Sequence, residues 1–316
     1  MNRKSPRLHL LLMVLIGLFV VVGCSSDSTS SKDLTAGKTA KEIAEASYQK
    51  QYDAKNYDME FIINASMMIM GQTINMDMKG YGSIFLNPLK AKLVMDLTTA
   101  GIPVPEMEDG KIRTEQYIIT ENNGIISYQK QGDQWYKMVL SDTDLNKLMQ
   151  LNPAENLKLF MDNLKAAEIV GDETVNNVKT VKINLTASGE IFADLLGDVD
   201  SFGLGSQIDM LTKEILNNIG DLSFSIWVDK TNLDFIKGTI DLTPVLNNLS
   251  TVIASSSFPG MEELTPDERD MMTAMFDSMN MTMEYYIKNI DKAEDFKLPP
   301  EAAEATELGA LISDVE

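Results

Sequence analysis

From Tyr57 to Ile69 the sequence alternates with a period of two, and this long run restricts the fold more than any other stretch. The odd positions Tyr57, Met59, Phe61, Ile63, Ala65, Met67 and Ile69 are apolar, while Asp58, Glu60, Asn64 and Ser66 stand between them. Ile62 and Met68 break the polar series. Such alternation marks a strand with one buried face. Gly71-Gln72 reads as a tight turn, and Ile74, Met76 and Met78 then alternate with Asn75, Asp77 and Lys79. After Asn87-Pro88 a third strand carries Ala91, Leu93, Met95 and Leu97 on one face. Strands Gln116–Thr120 and Ile125–Gln129 flank Glu121-Asn122-Asn123-Gly124, whose Asn-Gly supplies positive φ. Trp135–Val139 follows a turn at Gln131-Gly132-Asp133. The order predicts an antiparallel meander.

Helices surround and interrupt it. Thr39-Ala40-Lys41-Glu42 has the spacing of a capping box and predicts a helix to about Gln51, with Ala40, Ile43, Ala44 and Ser47 on one face. Ser141 begins a second helix and Asn152-Pro153 a third, with Leu157, Phe160, Met161 and Leu164 as its apolar stripe. Strands resume at Val178–Leu185. Ile191–Leu196 and Ile208–Ile219 read as helical. Leu222–Val228 and Asp234–Leu242 form a hairpin around Lys230-Thr231-Asn232. Thr265 caps a helix over Pro266–Met275, and Met281–Ile287 is the last strand, with Leu298-Pro299-Pro300 ending the sheet. Helices set apart from long antiparallel strands give the α+β class. Strands with one apolar and one polar face predict a sheet that packs helices on one side and meets solvent on the other. Roughly eight to ten strands are expected, enough for strong curvature.

The N-terminus carries a different message. Arg3, Lys4 and Arg7 precede an apolar run, Leu10–Val22, of 13 residues. A spanning helix needs about 20, so residues 1–23 read as a signal peptide. Val21-Val22-Gly23-Cys24-Ser25 resembles the lipobox of bacterial lipoproteins, in which the cysteine becomes the acylated N-terminus. Residues 24–38 then form the lipidated cysteine and a flexible, serine-rich linker, residues 39–302 a single domain, and residues 303–316 an acidic tail. Cleavage removes His9, the one histidine, and three basic residues. The mature chain keeps 47 acidic residues against 24 basic ones, a formal charge of −23. That balance argues against nucleic acid, which needs clustered Lys and Arg, and against lying flat on anionic lipid. The expected location is the outer face of the bacterial cytoplasmic membrane, held through the acylated Cys24. No disulfide can form, so 293 residues must stabilise themselves through a core.

The stretches MEFIINASMMIMGQTINMDMKGYGSIFLNPLKAKLVMDL and YIITENNGIISYQKQGDQWYKM, with the closing LPPEA, resemble a family of uncharacterised Gram-positive lipoproteins whose fold is similar to the LolA/LppX group of lipoprotein and lipid carriers. The resemblance covers most of residues 40–302, as a pattern of strand faces and turns. It implies a large curved antiparallel sheet, a half-open barrel, with helices covering the concave face and a hydrophobic cavity between them. It also implies an acyl chain as the kind of cargo held there, and it carries over no single functional position.

Catalytic chemistry is sparse. Without a mature histidine or a free thiol, Ser-His-Asp and Cys-His catalysis and His/Cys zinc sites are excluded. No cofactor is called for. Glu106, Glu108 and Asp109 share a Pro-containing loop and read as solvated charge. Asp142-Thr143-Asp144-Leu145-Asn146 starts like a calcium loop but has Lys147 and Pro153 where Gly and Glu belong. Gly203-Leu204-Gly205 lacks the third glycine of a dinucleotide site. Methionine is the unusual feature, with 19 in the mature chain. Core packing, a deformable lining for a greasy ligand and copper(I) binding through thioethers all account for it. Trp135, beside Tyr136, suits strand packing better than carbohydrate stacking. The expected function is non-enzymatic binding of a lipid or other hydrophobic ligand. Its lining would be Met59, Phe61, Ile63, Met67, Ile74, Met76, Met78, Leu93, Met95, Leu97, Met281 and Met283. The alternative is a non-catalytic module that docks envelope proteins over a solid core. A two-lobed solute-binding lipoprotein ranks below both, since the chain shows a meander in place of repeated βαβ units.

Overall fold

The computed structural model describes residues 32–69, 71–101, 110–121, 124–140, 160–189, 220–254 and 265–307. The expected signal peptide, Cys24, most of the serine-rich linker, the Glu106–Asp109 loop, Asp142–Asn146, Gly203–Gly205, the helices expected from Ser141, at Ile191–Leu196 and at Ile208–Ile219, and the tail from residue 308 lie outside the described residues. Two compact units divide the chain, residues 1–33 and residues 34–316. Everything below concerns the second.

Helix α1 (Ala40–Tyr52) starts at the expected capping box. The Glu42 N–H donates to the Thr39 hydroxyl at 3.3 Å, and the Thr39 N–H donates back to the Glu42 carboxylate at 2.7 Å. Donation from the Thr39 N–H and then from the Thr39 hydroxyl, at 2.8 Å, holds the Glu42 carboxyl below its ordinary range. The sheet that follows has twelve strands. They are β1 (Asn56–Ile69), β2 (Gln72–Leu86), β3 (Leu89–Ala100), β4 (Lys111–Glu121), β5 (Gly124–Gln131), β6 (Gln134–Val139), β7 (Leu164–Val175), β8 (Val178–Ala187), β9 (Leu222–Asp229), β10 (Phe235–Asp241), β11 (Asn280–Lys288) and β12 (Thr306–Glu307). Their order in space is β12-β6-β5-β4-β3-β2-β1-β11-β10-β9-β8-β7, antiparallel except for β12 on β6. The sheet is open and curved. Helices α2 (Thr243–Ala254) and α3 (Pro266–Asp277) are inserted between the neighbouring strands β10 and β11.

The turns follow their residue types. Gly71 (φ 77°) and Gly132 (φ 59°) close the β1–β2 and β5–β6 hairpins in the left-handed region that glycine tolerates. Asn176 and Asn177, at φ 50° and 65°, do the same between β7 and β8.

Three sequence expectations need correction. The strand count exceeds eight to ten because β7 and β12 were not foreseen. Leu164, expected in a helical stripe with Phe160 and Met161, begins β7, and residues 160–162 are the helical ones among the described residues just before it. Leu298-Pro299-Pro300 does not end the sheet: a 3-10 turn at Pro300–Glu304 brings the chain back as β12. Helix α2, in turn, had no counterpart in the sequence reading.

Cross-strand pairing sorts side chains onto two faces, because directly opposed residues point the same way. On the inner face a contiguous apolar cluster joins Ile43 and Ala44 of α1, Val245 and Leu249 of α2, Met272 and Phe276 of α3, and strand residues such as Tyr57, Phe61, Ile183, Phe224, Phe235 and Tyr285. On the outer face one row runs Lys182–Trp227–Lys237–Tyr286–Glu60–Tyr81–Val94–Glu115–Lys130–Trp135. Lys237 stands 5.1 Å from the ring centres of both Trp227 and Tyr286, and Lys182 stands 4.8 Å from Trp227. The cations are neutralised in place, with Lys237 paired to Glu284 at 2.9 Å and Lys288 to Glu60 at 2.6 Å. Toward β6 the outer face turns apolar, and the C-terminal segment covers it. Ala302, Ala305, Phe296 and Leu298 pack on Tyr117, Tyr128 and Trp135. The Phe296 ring meets those of Phe85 and Tyr117 edge-on at 5.9 and 5.7 Å. Trp135 is therefore packed against Tyr117 at 5.8 Å, in a satellite core.

Candidate functional site

The inner face owes its character to sequence alternation carried across nine strands. One row reads Ala167–Leu185–Phe224–Ile240–Met283–Ile63–Met78–Leu97–Ile112, from β7 to β4, without a polar member. At about 4.8 Å between strands this apolar band is roughly 38 Å wide. The row beside it reads Ile169–Ile183–Ile226–Gly238–Tyr285–Phe61–Gly80–Met95–Thr114. Its two glycines have a specific task. A Cβ on Gly80 would stand 2.1 Å from the Phe61 ring, and one on Gly238 would stand 2.3 Å from the Tyr285 ring. Each aromatic lies over the glycine of the strand beside it. Tyr285 also stacks on Phe235, with ring centres 5.1 Å apart and planes within 10°. Burial pushes the Tyr285 phenol well above its ordinary range, so it is neutral at any physiological pH.

All twelve residues expected to line a ligand site fall on this face. Phe61 is buried in the cluster, and Met59, Ile63, Met78, Leu93, Met95 and Met283 are partly buried against it. Ile63 faces both Met78 and Met283 across the sheet. Ile74 is buried, opposite Met67. Met67, Met76, Leu97 and Met281 are partly buried and lie outside the cluster among the described residues. They gather at one end of the sheet, with Ala65 between Met76 and Met281 in adjacent strands. The face thus grades from a closed aromatic end at Tyr57 and Phe61 to a looser methionine end.

Helices α2 and α3 are fastened at that looser end. The Met281 N–H donates to the Thr243 hydroxyl at 3.1 Å, the Leu242 N–H to the Met281 carbonyl at 2.9 Å, and the Met68 N–H to the Ser278 hydroxyl at 2.9 Å. The helices leave β10 at Thr243 and rejoin the sheet at Asn280, so both junctions sit together. Over β9, the Phe160 ring closes on Phe224 at 4.4 Å between centres.

Three site features escaped the sequence reading. Gly80 and Gly238 were passed over, although a glycine inside a strand signals close approach by a neighbour. Helix α2 was missed, although Pro244 near its start and the spacing of Val245, Leu246 and Leu249 were available signals. Ser47 and Gln51 were placed on the buried helix or its end without notice of their polarity. Among the described residues, no three of His, Cys, Asp and Glu gather to hold a metal ion. No described helix is long and apolar enough to cross a membrane.

Comparison with known proteins gives one family and several distant solved structures. Residues 39–243 match a family described as of unknown function, DUF6612. No curated protein matches the sequence. Among solved structures, the chain is similar to LprF from Mycobacterium bovis at 11% identity and a TM-score of 0.43, over 82% of this chain and 96% of that one. It is similar to the lipoprotein LppX from Mycobacterium tuberculosis at 11% identity and a TM-score of 0.41, over 82% and 98%. A LolA superfamily protein from Nitrosomonas europaea follows at 9% identity and a TM-score of 0.19, over 82% and 96%. LppX and a LolA superfamily protein, named for the group that the sequence resembles, are among these solved structures.

Proposed function

This chain belongs to the DUF6612 family of unknown function, and we propose that it is a lipoprotein acylated at Cys24 on the outer face of the cytoplasmic membrane. In this reading it binds a lipid or acyl chain between the inner sheet face and helices α1–α3, and performs no catalysis. The observation that carries this reading is the unbroken apolar row from Ala167 to Ile112, ending beside half-buried methionines under a hinged helix pair. Burying ligand methylenes there contributes about 25 cal/mol per Å² of apolar surface. Unbranched methionines adapt to chains of different shape. Movement of α2 and α3 about Thr243 and Ser278 opens the methionine end while the Tyr57 end stays closed. The acidic body stays off anionic lipid, so attachment depends on the acylated terminus.

Residues 25–316 hold every described element, and the unit from residue 34 onward is compact by itself. The test is native mass spectrometry of that chain, purified without detergent, beside analysis of its organic extract. A stoichiometric co-purified lipid supports a binding protein and names its cargo class. An empty protein that also refuses a fluorescent acyl probe sinks the reading. It would leave the close packing of Phe160 on Phe224 and Tyr285 on Phe235 to be understood as the solid core of an envelope protein-interaction module.

A further inference from the structure

Ser47 and Gln51 lie one helical turn apart, on the α1 face that also presents Ile43 and Ala44 to the core. Ser47 is 0% exposed and Gln51 2%. Neither the Ser47 hydroxyl oxygen nor either polar atom of the Gln51 side-chain amide has a hydrogen-bond partner among the described residues. Leaving a buried polar group unsatisfied is strongly unfavourable, and the helix uses Ala or Ile at its neighbouring buried positions. Leucine at 51 and alanine at 47 would fill the same space without that penalty. Helix α1 packs on β7, β9 and β10, where Phe224, Ile226 and Phe235 belong to the same cluster as Phe61, Met78 and Met95. The polar pair is thus embedded in the apolar body that continues along the inner face toward the methionine end.

We propose that Ser47 and Gln51 form a polar subsite for the uncharged, hydroxyl-bearing head of an otherwise apolar ligand, such as a long-chain alcohol or a monoacylglycerol. The proposal rests on the binding function above and specifies its cargo. A primary amide offers donors and an acceptor, and the serine hydroxyl offers one more of each, so together they match a group that both gives and takes hydrogen bonds. An ionised head is disfavoured, because a buried charge needs a counter-charge. The nearest cation in sequence, Lys50, is already engaged, 2.5 Å from Asp234 and 2.7 Å from the Asn232 carbonyl. The ligand then lies with its head under α1 and its tail directed toward Met67 and Met281.

The experiment is displacement of a fluorescent acyl probe from residues 25–316 by hexadecanol, by hexadecane and by palmitate. It compares the unaltered chain with Gln51→Leu and Ser47→Ala, singly and together. Hexadecanol should bind roughly tenfold more weakly to the double variant, the factor expected when one or two net hydrogen bonds are lost, while hexadecane is unaffected. Thermal midpoints at or above that of the unaltered chain confirm that each variant folds. If hexadecanol and hexadecane compete alike in all four proteins, the pair holds an ordered water only and the proposal falls. If palmitate as its anion outcompetes hexadecanol, the uncharged head group is wrong. Failure of every ligand and of the probe overturns the binding function, and this proposal with it.

Discussion

Gly80→Ala tests whether the inner face is built as described. A Cβ at position 80 would stand 2.1, 2.2 and 2.9 Å from Cζ, Cε1 and Cε2 of Phe61, and ordinary contact begins near 3.4 Å. The ring must therefore retreat by at least about 1.3 Å, in a buried cluster where it cannot do so within its rotamer. Overpacking of this kind costs about 2 kcal/mol, offset by about 0.5–1 kcal/mol because alanine suits a strand better than glycine. The net expectation is a loss of about 1–1.5 kcal/mol. Phe61→Leu removes the three ring atoms that occupy the site, at its own cost of about 1 kcal/mol. In that background Gly80→Ala should be neutral or stabilising by about 0.5–1 kcal/mol. The cycle then shows a coupling of about 2 kcal/mol, well above the 0.3–0.5 kcal/mol scatter of independent sites. Urea unfolding of residues 25–316, followed by far-ultraviolet circular dichroism at constant slope, gives all four values. A coupling under about 0.5 kcal/mol would refute the placement of Phe61 over Gly80.

Two further outcomes follow from the outer face. The Glu284 carboxyl is held below its ordinary range by hydrogen bonds from Lys237 and then Tyr286. A folded-state value below the unfolded one means stability present above the unfolded carboxylate range and lost as pH falls through the folded value. Glu284→Gln should therefore be less stable than the parent at neutral pH, with the two urea midpoints converging in acid; a gap independent of pH contradicts the pairing. Phe296→Ala removes a ring set against Phe85, Tyr117 and, 4.5 Å away, the Lys90 ammonium. It should cost about 2 kcal/mol and shift Trp135 emission to the red, measured in a Trp227→Phe background. Unchanged emission would show that the C-terminal segment does not shield Trp135.

The parts of the fold legible in the sequence are those where one face is buried and the other wet. Strands β1, β2, β3 and β11 announce themselves through Met59, Phe61 and Ile63, through Ile74, Met76 and Met78, through Leu93, Met95 and Leu97, and through Met281 and Met283. The capping box at Thr39 was equally plain, because it is local. Strand β7 was hidden for a physical reason. It is an edge strand, mostly exposed, and its register shifts twice, between Leu164 and Ala166 and between Ile169 and Gly171. Those shifts destroy the period of two, and bulges of this kind are how open edges are protected. Asn176-Asn177 was the one signal that could have found it. The C-terminal cover was illegible because Phe296 and Leu298 follow no period; only contact with Tyr117 and Trp135, far away in sequence, gives them a place. Nor can spacing tell a lining methionine from a core methionine, since both require the same face.

The treatment of the two faces bears on where a ligand can go. An open sheet of twelve strands exposes both sides unless each is covered, and the chain covers them by different means. Outside, Lys182, Lys237 and Lys288 lie over Trp227 and Tyr286 and are neutralised by glutamates, while residues 296–305 close the remaining aromatics. That cover is made of short-range contacts with charged groups at its surface, and opening it would expose lysines and glutamates that hold one another. Inside, the cover is helical, packing Val245, Leu249, Met272 and Phe276 on the sheet, and α2 and α3 join the sheet side by side at Thr243 and Ser278. Any apolar surface uncovered by displacing them can be buried again against an apolar guest. A ligand that replaces one apolar neighbour with another therefore costs least on the inner face. Met67, Met76, Leu97 and Met281 lie outside the closed cluster, so a guest bound on the inner face as proposed would pass at the methionine end.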